Sequence, residues 1–304
     1  MKKSIVYLFI SACLVIFSCK KDKKDFRSAQ IITDVSFGAD AKQKMDVYLP
    51  ERRNEQTPVV VMLHGGGFVA GDKAEISLPA QQFSARGFVV LNVNYRLVNI
   101  DGVLSNPIVH KLSPVKMADQ LNDVQAAINV GVSKTAEWGV SADKWSIAGH
   151  SAGGTLALLY AYGDKNADNR IKVAGNWAGA TNFAFQNESE VQALDPRIRE
   201  VIYRAVGAEP VQANVLAYMA VSPMWLAIQG RGKATINVRP ESNAVADLPD
   251  GSKAEYEKFT GILNDKGLPN KWVEIAGADH GFSKAGNWEL VIAETAAFFQ
   301  ARLQ

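Results

Sequence analysis

Gly149-His150-Ser151-Ala152-Gly153-Gly154 lies between an apolar run, Trp145 to Ala148, and a second one that opens at Thr155 and reaches Tyr160. A G-x-S-x-G turn between a strand and a helix is a nucleophile elbow, which holds a serine Oγ clear of the sheet with a helix N-terminus behind it. Glycines flank such a serine because its own backbone is strained and neighbouring elements pass close to it. The chemistry on offer is acyl transfer through Ser151. An oxyanion formed there needs backbone donors, and His64-Gly65-Gly66-Gly67-Phe68 supplies consecutive glycines after another apolar run. The N–H groups of Gly66, Gly67 and Ala152 are the candidate oxyanion hole. The serine also needs a base. Of the four histidines, His64 and His150 sit inside these motifs and His110 lies in an irregular stretch. His280, in Gly277-Ala278-Asp279-His280-Gly281-Phe282, follows the last apolar run and precedes the final helix, where the order Ser…acid…His requires the base. Asp279 beside it reads as a structural residue of a tight loop.

The elements that must position these residues alternate in type. Strands are expected at Ile31–Val35, Met45–Leu49, Val59–Leu63, Phe88–Val93, Trp145–Ala148, Ile171–Ala174, Ala234–Val238 and Lys271–Ile275. Helices are expected at Ser77–Arg86, after Pro114, at Ala152–Tyr162, at Lys253–Asp265 and at Trp288–Leu303. Val59 to Leu63 is a continuous apolar run, as a strand buried on both faces should be. Val115, Ala118, Leu121, Val124 and Ile128 make one helical stripe. The pattern predicts an α/β protein with a mostly parallel central sheet and helices on both faces. Leu97–Ser113 and Asn182–Met224 break the alternation, and inserts at the carboxyl ends of strands lie over the site in such sheets. Both are read as a small lid shaping a substrate pocket, with the lid insert proper at about residues 182–224. Gly65-x-Gly67-x-x-Ala70 fits the dinucleotide fingerprint formally, but Phe88 to Tyr95 contains no acidic residue for a ribose, so no nucleotide cofactor is expected.

His64-Gly65-Gly66-Gly67, Asn94-Tyr95-Arg96, the elbow and Asp279-His280-Gly281-Phe282 together resemble the α/β-hydrolase carboxylesterases of the hormone-sensitive-lipase-like and feruloyl-esterase-like group. The likeness covers residues 30 to 304. It implies an α/β-hydrolase fold and a serine carboxylesterase cleaving small acyl or aryl esters, with ester groups on polysaccharides as candidate substrates. It implies that Asn94-Tyr95-Arg96 and Asp123 order the ground beneath the site. The departure is at the acid. Counting from the end of the strand Thr235–Val238 puts Asn243 where relatives carry an aspartate; counting back from Leu248-Pro249 gives Val245 instead. An asparagine orients an imidazole without neutralising its charge. Three outcomes stand open: a displaced carboxylate, with Asp247 slightly ahead of Glu241; a dyad of reduced rate; or a non-catalytic glycan- or peptide-binding protein on the same scaffold. A prolyl peptidase of this fold brings an extra propeller domain, for which no residues remain. Ser, His and backbone donors need no metal or organic cofactor, and no His/Cys/carboxylate cluster has ligand spacing.

Residues 1–25 carry a net charge of +4 against +2 for the chain, so the remainder is weakly acidic and has no basic footprint for nucleic acid. Lys2-Lys3 followed by the apolar stretch Ile5–Phe17 has the form of a signal peptide and is shorter than a membrane span. Its end, Ile16-Phe17-Ser18-Cys19, resembles the lipobox of bacterial lipoproteins. That implies a signal peptide at 1–19, lipidation of Cys19, a tether at 20–29, a hydrolase domain at 30–304 and an envelope address, with the lipid anchor as the sole membrane contact. With Cys13 removed alongside the signal, no thiol pair remains for a disulfide.

Overall fold

The computed structural model describes residues 27–243 and 253–304. Cys19, the tether up to residue 26 and Asp247 lie outside the described residues. Eight strands form one sheet: β1 (Gln30–Ser36), β2 (Lys44–Leu49), β3 (Val59–Leu63), β4 (Val89–Val93), β5 (Trp145–His150), β6 (Ile171–Trp177), β7 (Ala234–Pro240) and β8 (Asn270–Ile275). Their spatial order is β1-β2-β4-β3-β5-β6-β7-β8. β2 pairs antiparallel with β1 and β4, and every pairing from β4 to β8 is parallel. The helices are α1 (Ser77–Ala85), α2 (Met117–Ser133), α3 (Thr135–Trp138), α4 (Ala152–Tyr162), α5 (Glu188–Gln192), α6 (Pro196–Val206), α7 (Val215–Ala220), α8 (Pro223–Ile228), α9 (Lys253–Asp265) and α10 (Asn287–Arg302).

Parallel strands need crossovers, and the crossovers cover both faces of the sheet. Every residue of β3 and β4 is buried, which is why β3 reads as an unbroken apolar run and β4 departs from one only at Asn92. α4 is buried along its whole length because α2 and α8 enclose it against β3, β5 and β6. α1 and α10 pack together on the opposite face. The sheet is thereby sandwiched between two apolar clusters, one centred on Leu63, Leu91, Ile147 and Leu156, the other on Phe83, Trp177, Ile236 and Phe299.

The ends of three strands differ from the apolar pattern. β5, β6 and β7 continue to His150, Trp177 and Pro240, two or three residues past the hydrophobic runs. There the ladder goes on through glycines and polar residues mixed with buried Trp177 and Pro240, so no apolar run marks it. Asn176 Nδ2, for example, donates to Asn237 Oδ1 at 3.1 Å between neighbouring strands, both side chains fully buried. α2 begins at Met117, two residues after Val115. Asp119 accepts from the Lys116 N–H at 2.9 Å and satisfies the helix start at that point.

Phe83 links α1 to the rest of its layer, meeting Phe88 edge-on at 5.4 Å and stacking on Trp177 and Phe299 at 6.1 and 6.2 Å. It is fully buried. Truncating such a ring costs its transfer free energy and leaves a cavity. Phe83→Ala is expected to lower unfolding free energy by about 3–5 kcal/mol, read as a shifted urea midpoint; a loss below about 1 kcal/mol would contradict this packing.

Candidate active site

Ser151 stands between β5 and α4 with φ 53° and ψ −123°, a conformation that L-residues avoid. Two glycines permit it. A Cβ on Gly149 would meet Gly153 O at 2.3 Å, and one on Gly153 would meet Leu63 O and His64 O at 2.3 and 2.4 Å. The Ser151 N–H donates to Trp177 O at 2.7 Å, tying the elbow to β6. Other positive-φ residues cluster nearby: Phe68, Ala178 and Phe282.

His280 Nε2 lies 2.9 Å from Ser151 Oγ, and His280 Nδ1 lies 2.6 Å from Asn243 Oδ1. The amide oxygen accepts the Nδ1–H, which leaves the Nε2 lone pair facing the serine hydroxyl. Asn243 is 3% exposed. Its position follows from an extension of the β7–β8 ladder: Glu241 N donates to Ile275 O at 3.1 Å and Ser242 N to Ala278 O at 3.0 Å. The chain thus reaches the His280 loop in register, and the count from the strand end lands on the residue that meets the imidazole. Glu241 turns away, its Oε2 accepting from the Gly277 N–H at 2.5 Å. Among the described residues no carboxylate hydrogen-bonds to His280. Asp279 is exposed and binds the N–H and hydroxyl of Ser283.

The loop carrying His280 is held by His150. Its Nε2–H donates to His280 O at 2.7 Å, and its ring packs edge-on against Phe282 and Trp288. This role is visible only in three dimensions; the one hint in the chain is a polar ring closing a mainly apolar strand. His64 stacks on Tyr95 at 4.3 Å, with the Tyr95 hydroxyl donating to His64 O at 2.7 Å, so the glycine loop rests on the Asn94-Tyr95-Arg96 segment. Arg96 in turn makes a two-pronged contact with buried Asp123. Gly67 and Ala152 line the cavity beside Ser151. Gly66 sits behind them, with φ 106°, its carbonyl accepting from the N–H groups of Val69 and Ala70.

The cavity in front of Ser151 has a volume of about 290 Å³. Its walls are mainly apolar, from Phe68, Phe183, Val191, Ile198 and Ile202, with Glu255 and Arg199 among the polar ones. α5 and α6 of the 182–224 insert form much of that wall. The Leu97–Ser113 insert does not line it; this stretch instead braces α6 from behind, a correction to its reading as a pocket wall. Glu255, which the sequence did not mark, accepts from the N–H and hydroxyl of buried Thr181 at 3.0 and 2.6 Å and so fixes the loop after β6. Among the described residues no group of His, Cys, Asp or Glu side chains is arranged to hold a metal ion.

Burial lowers the His280 pKa below its ordinary value, against an opposing pull from Asp279, and keeps the ring a free base. Burial drives His150 and His64 further, to about 4.

The BD-FAE family model matches residues 45–225, more than half of the chain. The chain belongs to the BD-FAE family. This is a family of α/β-hydrolase esterases. A probable isoprenylcysteine alpha-carbonyl methylesterase of Arabidopsis thaliana is 27% identical over 132 residues, 43% of this chain and 25% of its own length. A probable carboxylic ester hydrolase of Mycobacterium tuberculosis is 26% identical over 216 residues, 64% of this chain and 46% of its own. The chain thus spans a quarter to just under half of these curated relatives. A solved carbohydrate esterase from gut microbiota superimposes with a TM-score of 0.67 at 16% identity, covering 92% of this chain and 98% of that one. That likeness establishes the α/β-hydrolase fold of this BD-FAE chain.

The buried histidines set a pH dependence of stability. In the unfolded chain His64 titrates near its ordinary 6.5, and in the fold at about 4. As pH falls through that window the unfolded state takes up a proton that the folded state refuses, so stability present above 6.5 is lost towards 4. His150 acts in the same direction. Urea unfolding is expected to show a loss of about 3 kcal/mol from His64 alone across this window; a stability that stays flat there would contradict the burial.

Proposed function

We propose that this chain is a serine carboxylesterase that cleaves small acyl or aryl esters through an acyl-enzyme on Ser151, with His280 as base and Asn243 as the residue that sets its tautomer. The observation that carries this reading is the continuous hydrogen-bond chain Asn243–His280–Ser151, 2.6 and 2.9 Å long, opening on an apolar cavity. Ser151 Oγ attacks the ester carbonyl carbon as its proton passes to His280 Nε2. The oxyanion is received by N–H groups of Gly66, Gly67 and Ala152, each such donor worth on the order of 3 kcal/mol of barrier. The C–O bond to the alcohol then breaks, and the leaving oxygen takes the proton from Nε2. Water repeats the sequence and frees the acid.

The amide makes this a muted triad. In a trypsin-type enzyme the Asp→Asn change lowers kcat by about 10⁴, largely because the amide imposes the wrong tautomer. Here the oxygen faces Nδ1, so the tautomer is right and only the charge is missing. Ester groups on polysaccharides remain the favoured natural substrates, in keeping with a lipid anchor at Cys19 and an envelope address, both of which we carry as part of this proposal. A non-catalytic binding protein is the alternative, drawing on the amide alone. Labelling by a fluorophosphonate that requires both Ser151 and His280 would exclude it.

Turnover of p-nitrophenyl acetate is expected to fall to background in Ser151→Ala; equal rates would end the hydrolytic reading. Asn243→Asp is expected to raise kcat about tenfold, the added worth of a charge-assisted hydrogen bond. It should also move the acid limb of kcat/KM, which lies below pH 6.5 because the His280 pKa is lowered, to higher pH. A slower Asn243→Asp enzyme with an unmoved limb would remove Asn243 from the catalytic group.

A further inference from the structure

Behind the cavity wall one imidazole is bound at both nitrogens. His110, in the Leu97–Ser113 insert, has Nδ1 2.7 Å from Glu200 Oε2 and Nε2 2.6 Å from Glu209 Oε1. A neutral imidazole has a single N–H, so one of these contacts would then set a lone pair against a carboxylate. Only the doubly protonated ring donates to both. The ring also stacks on Tyr203 at 4.4 Å.

Glu200 belongs to a larger clasp. One helical turn on, Arg204 is fully buried and donates to Glu200 Oε1 at 2.6 Å. Its remaining nitrogens donate to the carbonyls of Asn99, Asp101 and Val109 in the insert. The Lys111 N–H adds a bond to Glu200 at 3.2 Å. Glu209 lies just past the end of α6, next to Pro210. α6 gives Ile198 and Ile202 to the cavity, and Pro210 lines it as well. The bridge therefore joins the insert to both the helix and the turn that form one wall of the site.

We propose that His110 is a positioning residue for substrate binding: in its charged form it ties Glu200 to Glu209 and fixes α6 and the Pro210 turn as a wall of the cavity. The inference rests on the esterase reading only for its kinetic readout. Facing the ring are Glu200, Tyr203 and Arg204 from α6 and Glu209 from the turn; its own segment brings Lys111 and Asp101, which pair at 3.9 Å. The two bonded carboxylates raise the His110 pKa above its ordinary 6.5. The bridge is complete below 6.5 and is lost as pH rises through the raised value, the reverse of the acid-side loss set by His280.

The test is steady-state hydrolysis of p-nitrophenyl butyrate from about pH 5.5 to about pH 9, together with hydrogen exchange of the α6 amides in the absence of substrate. Wild type is expected to show KM rising about fivefold on the alkaline side with kcat unchanged. His110→Gln should show the raised KM at every pH with no step. His110→Arg, a permanent cation able to donate to both carboxylates, should keep the low KM throughout. Protection of α6 should fall over the same pH range in wild type and stay high in His110→Arg. A KM step that persists in His110→Arg, or pH-independent α6 protection in wild type, overturns the proposal. If no ester is hydrolysed at all, the esterase reading fails while exchange still decides the bridge.

Discussion

An imidazole serves as a base towards a hydroxyl only when its far nitrogen is committed to holding the proton. In this fold that commitment is one hydrogen bond, Nδ1–H of His280 to Oδ1 of Asn243, and much of the surrounding structure keeps its two ends together. The Asn243 end is pinned by the extended β7–β8 ladder. The His280 end is pinned through its carbonyl by His150, the residue preceding Ser151. Histidine loop and elbow are therefore anchored to each other as well as aligned. His150 can donate to that carbonyl steadily because burial keeps its ring neutral through the ordinary pH range, so its Nε2–H and tautomer do not change as the site works.

Strain at the elbow costs on the order of 1–3 kcal/mol and needs rigid surroundings to persist. α4, buried on every side, and β5, paired on both edges, provide them. The close passages at Gly149 and Gly153 leave no slack for the serine to relax into an ordinary conformation. The apolar clusters on both faces of the sheet thus have a direct bearing on chemistry: they are what makes a disfavoured backbone geometry the stable one.

Most of the sheet was legible because strands buried on both faces are mainly apolar: β3 is so throughout, and β4 and β5 depart from it up to Ala148 only at Asn92 and Ser146. The elbow, glycine loop and His280 stood out as candidates because ester cleavage would demand particular residue types at particular ends of elements, and the structure brings Ser151 and His280 together. Legibility stopped where hydrogen bonding outlasts hydrophobicity. The polar ends of β5, β6 and β7 carry no alternation to read, and the approach to Asn243 is such an end. Counting from β7 and counting back from Leu248-Pro249 disagreed because loop length follows no period; the ladder from Glu241 to Ser242 decides for the strand end. The bracing of α6 by Leu97–Ser113 was hidden for a related reason. It runs through Arg204 to backbone carbonyls, and a carbonyl leaves no mark in the sequence.

An amide and a carboxylate at 243 would act differently on the imidazole they face. Position 243 is almost wholly enclosed, and a charge taken from water to such a place is costly unless a cation or several donors meet it. A carboxylate would draw the proton it needs onto His280, raising that ring's pKa and holding it protonated, hence useless as a base, further into the neutral range. An amide keeps the imidazole correctly oriented yet neutral down to lower pH. On the proposed esterase reading, the site would give up part of the electrostatic stabilisation of the imidazolium in the transition state and would retain a base available in mildly acidic surroundings.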